Sequence, residues 1–120
     1  MSQHEMLNRT TVTSQELALL LQEREEGKVD FLLVDVREMM EYEGSHIKGV
    51  DVLKPTSTFQ SWGQEFLDQN KEKTVIFTCR SGNRSGQVQN VFRQNGMVKA
   101  INHVGGIISY DAEQESGASF

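Results

Sequence analysis

Apolar positions along this chain fall into short blocks whose spacing alternates between a helical and an extended period. Thr13-Ser14-Gln15-Glu16 fits a capping box, and Leu17, Leu20 and Leu21 then share one helical face until Gly27 stops the run. The stretch DFLLVDV, residues 30–36, is too short and too continuously apolar for a surface helix, and it predicts a strand buried on both sides. Phe59, Trp62, Phe66 and Leu67 return to helical spacing over residues 59–70, although Gly63 weakens that helix. KTVIFTC (73–79) predicts a second buried strand. Val88, Val91 and Phe92 give the following helix its apolar stripe, with Gly96 as the expected C-cap. VKAIN (98–102) predicts a third strand, and Gly105-Gly106 lead into a short terminal helix. Residues 1–8 and 115–120 read as frayed ends around one domain of residues 9–114, with no internal repeat or linker.

Strands alternating with helices predict an α/β fold, a central parallel sheet covered by helices on both faces. In such sheets ligands gather at the C-terminal ends of the strands. Cys79 stands at one of those ends, and Asp35-Val36-Arg37 at another.

Composition narrows the function classes. At 120 residues the chain holds one core, and its net charge of −5 argues against a general nucleic-acid or anionic-membrane surface. No apolar run approaches the roughly 20 residues of a membrane span, and MSQHEMLNRT carries no signal-peptide core, so cytoplasm is the expected address. The single cysteine cannot form an internal disulfide, nor a thiolate-only metal site without another chain. The sequons at Asn8 and Asn83 are chance tripeptides in a chain with nothing else to mark secretion.

The candidate chemistry lies in the loop after Cys79. Gly82 and Asn83 tolerate unusual dihedrals, so the backbone can curl there ahead of a helix N-terminus and aim successive N–H groups at one spot. The sulfur is the natural occupant, ionised by the amides, the helix dipole and the guanidinium groups of Arg80 and Arg84, yet open to solvent. The alternatives are a cysteine that only fills space, and arginines that are solvated or that pair with Asp35. Asp35 and Arg37 point the same way along a strand. They read as a structural pair fixing neighbouring loops, with substrate contact as the alternative. His46 and His103 read as structural, and His4 as part of a mobile tail.

Three blocks in order now resemble a known family: VDVREMMEYEGSHIKGV (34–50), CRSGNRS (79–85) and INHVGGIISY (101–110). From about Thr11 to Asp111 the chain is similar to single-domain rhodanese-like sulfurtransferases. The resemblance implies the rhodanese-like fold and a nucleophilic Cys79 that alternates between thiolate and persulfide. It implies that Arg80, Ser81, Gly82, Asn83, Arg84 and Ser85 bind the substrate. The expected partners are a small anionic sulfur donor such as thiosulfate, a cyanide or thiol acceptor, and a protein in a sulfur relay; no metal or organic cofactor, nucleic acid or membrane is expected. Met39, Met40, Tyr42 and residues near Leu53 are the expected pocket walls. Ser45, Val50 and Tyr110 depart from the family's usual glycine, alanine and tryptophan, which bears on local packing.

Two other enzymes share the thiolate-and-arginine logic, a cysteine-dependent phosphatase and an arsenate reductase. Their loop places five residues between cysteine and arginine, whereas RSGN supplies four here, a tighter cradle suited to one sulfur atom. A sulfur carrier without fast thiosulfate turnover uses the same persulfide and stays open. A purely non-catalytic interaction domain ranks low, because Cys79 and its loop are intact.

Overall fold

The predicted capping box forms as drawn: Glu16 N donates to Thr13 Oγ1 at 3.2 Å and Thr13 N to Glu16 Oε1 at 2.9 Å. It opens the second helix of a computed structural model that describes residues 3–117, with side chains from residue 5. In chain order the elements are α1 (Gln3–Met6), β1 (Thr11–Val12), α2 (Ser14–Glu25), β2 (Leu32–Asp35), α3 (Met39–Gly44), β3 (His46–Ile47) and β4 (Val52–Leu53), then α4 (Phe59–Asn70), β5 (Val75–Thr78), α5 (Asn83–Gln94), β6 (Ala100–His103) and β7 (Gln114–Glu115). Short 3-10 turns occupy Thr56–Thr58 and Ile107–Ser109.

Five strands form one parallel sheet in the order β1-β6-β5-β2-β4, and β3 pairs antiparallel with β7 beside it. The three predicted strands are its centre. Successive side chains on a strand point to opposite faces, and the two apolar clusters obey that rule. One gathers Leu33, Ile76 and Ile101 under α1 and α2; the other gathers Val34, Val75, Phe77 and Cys79 under α4 and α5. Helices therefore cover both faces of a parallel sheet, the α/β architecture expected.

Several details differ from the sequence reading. The edge strands β1 and β4 and the helix α3 were not foreseen, since none is long enough to show a period. Residues 3–8 are not frayed: α1 is helical, and Met6 and Leu7 are buried against the α2 face because they close the core there. Glu115 likewise is paired, as part of β7 against His46. The expectations for the His4 side chain and for residues 1, 2 and 118–120 fall outside the described residues. On α5, Val91 is exposed and Gln89 is buried in its place, donating to the carbonyls of Thr10 and Ala100. Gly96 lies one residue beyond the α5 cap at Asn95, with φ +102°, and Val98 is exposed ahead of the strand.

Candidate functional site

The site starts from strand parity. Cys79 follows β5 on the α4/α5 face, and the chain turns into α5 within four residues. Gly82 makes that turn at φ +98°, where an L side chain is strained. The turn brings donors onto the sulfur: Gly82 N lies 3.1 Å from Cys79 Sγ, Ser85 N 3.4 Å and Ser85 Oγ 3.3 Å. Burial pushes the thiol up, but these donors, with the Ser81 amide, outweigh it and hold the group below its ordinary value. The amide cradle predicted for the loop is present, and the sulfur is held by its own backbone.

Two expectations for this loop change. The sulfur is not open to solvent; Cys79 is 1 % exposed, because the loop folds over it and Val36, Val88 and Phe92 pack among the residues below. Nor do the arginines carry the ionisation. Arg84 forms a two-pronged ion pair with Glu41, Nη1 to Oε1 at 2.7 Å and Nη2 to Oε2 at 2.9 Å. That hydrogen bonding pulls the Glu41 carboxyl down to about 2, against a smaller opposing effect of burial. Arg80 and Asn83 are exposed. Of the residues expected to bind substrate, Ser81, Gly82 and Ser85 face the sulfur, while Arg80, Asn83 and Arg84 stand around the loop with their side chains elsewhere.

Asn102 was missed. It lies on β6 opposite Phe77, on the same face as Cys79, and its amide joins both ends of the loop. Nδ2 donates to Gly82 O at 3.2 Å, and Oδ1 accepts from Ser85 Oγ at 2.6 Å. Ser85 has one hydroxyl proton and two claimants for it. With a neutral thiol the hydroxyl donates to the close amide oxygen, and a charged sulfur draws that donation to itself. The third sequence block closes the loop from the other side: Ile107 N donates to Cys79 O at 2.9 Å and Ile108 N to Arg80 O at 3.1 Å. Gly106 allows that contact, for a Cβ there would strike the Cys79 and Arg80 carbonyls.

The opposite face holds supports. Thr78 Oγ1 meets His103 Nδ1 at 2.8 Å, and His103 Nε2 meets Ser14 Oγ at 2.7 Å, which in turn meets Ser109 Oγ at 2.7 Å. Burial lowers His103 to about 4, so it is neutral near pH 7. Asp35 and Arg37 also lie away from the sulfur. Arg37 binds the Asp35 carboxylate through Nε and Nη2 and donates to Ser45 O at 2.7 Å. The partner of Asp35 is thus Arg37 rather than a loop arginine. His46 stacks on Tyr42 with ring centroids 3.8 Å apart and donates from Nδ1 to Tyr42 O, so Tyr42 is packed rather than a pocket wall. Met39 and Met40 are exposed, and Leu53 is buried. Among the described residues no group of three acidic, histidine or cysteine side chains could hold a metal ion, and no helix is long and apolar enough to cross a membrane.

Known proteins are similar to this chain in sequence and fold. Residues 16–113 match the rhodanese-like domain family. A putative sulfur carrier protein of Bacillus subtilis is 36% identical over 83 residues, covering 69% of this chain and 43% of its own. A tRNA uridine(34) hydroxylase of Photorhabdus laumondii is 32% identical over 84 residues, covering 68% of this chain and 24% of its own. The chain thus spans less than half the length of these curated relatives. A rhodanese-like domain protein of Staphylococcus aureus superposes with a TM-score of 0.73 at 27% identity, over 92% of this chain and 100% of that one. A rhodanese-related protein of Thermoplasma volcanium agrees in fold, with a TM-score of 0.71 at 19% identity over 89% of this chain and 98% of that one. With the family match running from α2 to the residue before β7, the chain belongs to the rhodanese-like domain family.

Proposed function

We propose that the protein is a cytoplasmic sulfurtransferase that carries sulfane sulfur as a persulfide on Cys79. One observation carries this reading: two backbone amides and a hydroxyl face the sulfur within hydrogen-bond reach at the mouth of a helix. Such donors stabilise an anion on the sulfur or on an atom bound to it. In the first half-reaction the Cys79 thiolate attacks the outer sulfur of a donor such as thiosulfate. A new S–S bond forms, the donor's own S–S bond breaks, and sulfite leaves with the electron pair. In the second, cyanide or a thiolate attacks the outer sulfur and regenerates the Cys79 thiolate. Ser81, Gly82 and Ser85 hold the charge, and Arg80, Asn83 and Arg84 border the entry. The sulfur is its own carrier in this cycle, which calls for no cofactor. The four-residue spacing from Cys79 to Arg84 favours sulfur over a phosphate-sized oxyanion.

A sulfur relay is the second reading, favoured by the kinship with a putative sulfur carrier protein. There the donor is a persulfide on another protein, and the chemistry at Cys79 is the same. Intact-mass analysis after thiosulfate exposure tests the shared step. The expected result is one added sulfur atom on the wild type, removed by cyanide and absent in Cys79→Ala. An unchanged mass with every sulfane donor tried would discard the persulfide. Steady turnover with thiosulfate and cyanide then separates the enzyme from the relay.

A further inference from the structure

Charge around the Cys79 loop is cancelled by an element outside it. α3 begins beside the loop, and Glu41 covers both terminal nitrogens of Arg84 while also accepting from Glu38 N. Glu38 adds a second negative charge felt by Arg84. Arg80 is exposed and has no acidic partner among the described residues. Two arginines are thus set against two glutamates, and the thiolate adds one further negative charge. The side chains around the loop therefore offer a doubly charged donor no net positive charge. Between those glutamates the same helix presents Met39 and Met40, 42% and 86% exposed, a flexible apolar surface for a carbon group.

Resting on the persulfide reading above, we propose that Glu41 is a specificity-determining residue that favours singly charged organic sulfane donors over small dianions such as thiosulfate. It acts through charge and by occupying Arg84. Donors of the favoured class are organic persulfides and thiosulfonates, whose carbon end can lie on the methionines. The chemistry is unchanged: thiolate attack on the outer sulfur of a thiosulfonate breaks its S–S bond and releases a sulfinate with the electron pair.

The test compares two donors of one sulfur atom each, thiosulfate and methanethiosulfonate, by the rate at which mass is added to Cys79 at fixed ionic strength. Wild type should load faster from methanethiosulfonate. Glu41→Gln keeps an oxygen for the Glu38 amide but removes the charge, and should shift the rate ratio toward thiosulfate by about fivefold, the effect of one unit charge a few ångströms from the entry. Glu41→Asp keeps the charge and should stay near the wild-type ratio. Arg80→Gln, an exposed position where folding is not at stake, should move the ratio the other way. A ratio unmoved by Glu41→Gln, or moved equally by Glu41→Gln and Glu41→Asp, overturns the assignment while leaving the persulfide in place. Failure of both donors to add sulfur to wild type overturns the persulfide reading itself.

Discussion

Cys79 is held below the ordinary thiol value by neighbours at short range, and substitution can separate them. Removing the hydroxyl in Ser85→Ala deletes one of the sulfur's donors, so the pH midpoint of alkylation should rise toward that of an ordinary thiol while the fold persists. Asn102→Ala frees the Ser85 proton but also frees Gly82 O, and loop order is lost with the clamp. A wild-type midpoint in Asn102→Ala, measured by the same alkylation series, would show that the amide does not position the cradle. Arg84→Ala leaves the Glu41 carboxylate without its cation. Thiosulfate loading should fall severalfold, while thermal stability changes by about 1 kcal/mol or less, as for other half-exposed ion pairs. Equal loading would remove Arg84 from the mechanism. The cradle was legible because Cys79, Gly82 and Ser85 are close in sequence and their geometry is local. Asn102 and Glu41 were not, since each meets the loop only after distant elements pack, and an asparagine in a strand or a glutamate in a helix looks ordinary by itself.

At the scale of elements, length decided what could be read. α4 has Phe59, Trp62, Phe66 and Leu67 on one face across twelve residues, and the predicted bounds are the observed ones. β1 and β4 hold two residues each and gain their identity from a neighbouring strand rather than from a pattern. On α5, counting apolar residues mistook Val91 for core, because it could not see that Gln89 has two backbone carbonyls to satisfy. The Gly105-Gly106 turn was read as a lead into a helix, and its tighter duty is to bring two amides onto the loop carbonyls. Gly106→Ala combines a positive φ of +62° with a collision against backbone, and should cost about 2 kcal/mol or more in denaturant unfolding. A loss near zero would mean that the turn readily moves away from the loop.

For the molecule as a whole, the sheet divides its labour between faces. Cys79, Ser85 and Asn102 lie with α4 and α5; Thr78, His103, Asp35 and Arg37 lie toward α2 and α3. The supporting face has its own pH signature. The folded state holds His103 at about 4 against an ordinary 6.5, so the unfolded chain binds the proton first as pH falls. Stability is therefore full above pH 6.5 and declines between 6.5 and 4, by on the order of 3 kcal/mol over the window. Glu41 acts in a separate range, its contribution present above 4.5 and lost as pH falls toward 2. Denaturant unfolding from pH 7 to 4.5 should show the first decline in wild type and a flat profile in His103→Gln; a flat wild-type profile would refute the histidine's role. The sealed sulfur carries one more consequence. With a single cysteine in the sequence, a sulfenic acid at this site has no second thiol beside it to form a disulfide. The loop folded over that atom must therefore move before a donor can reach it, and the sulfur meets an oxidant only in that same interval.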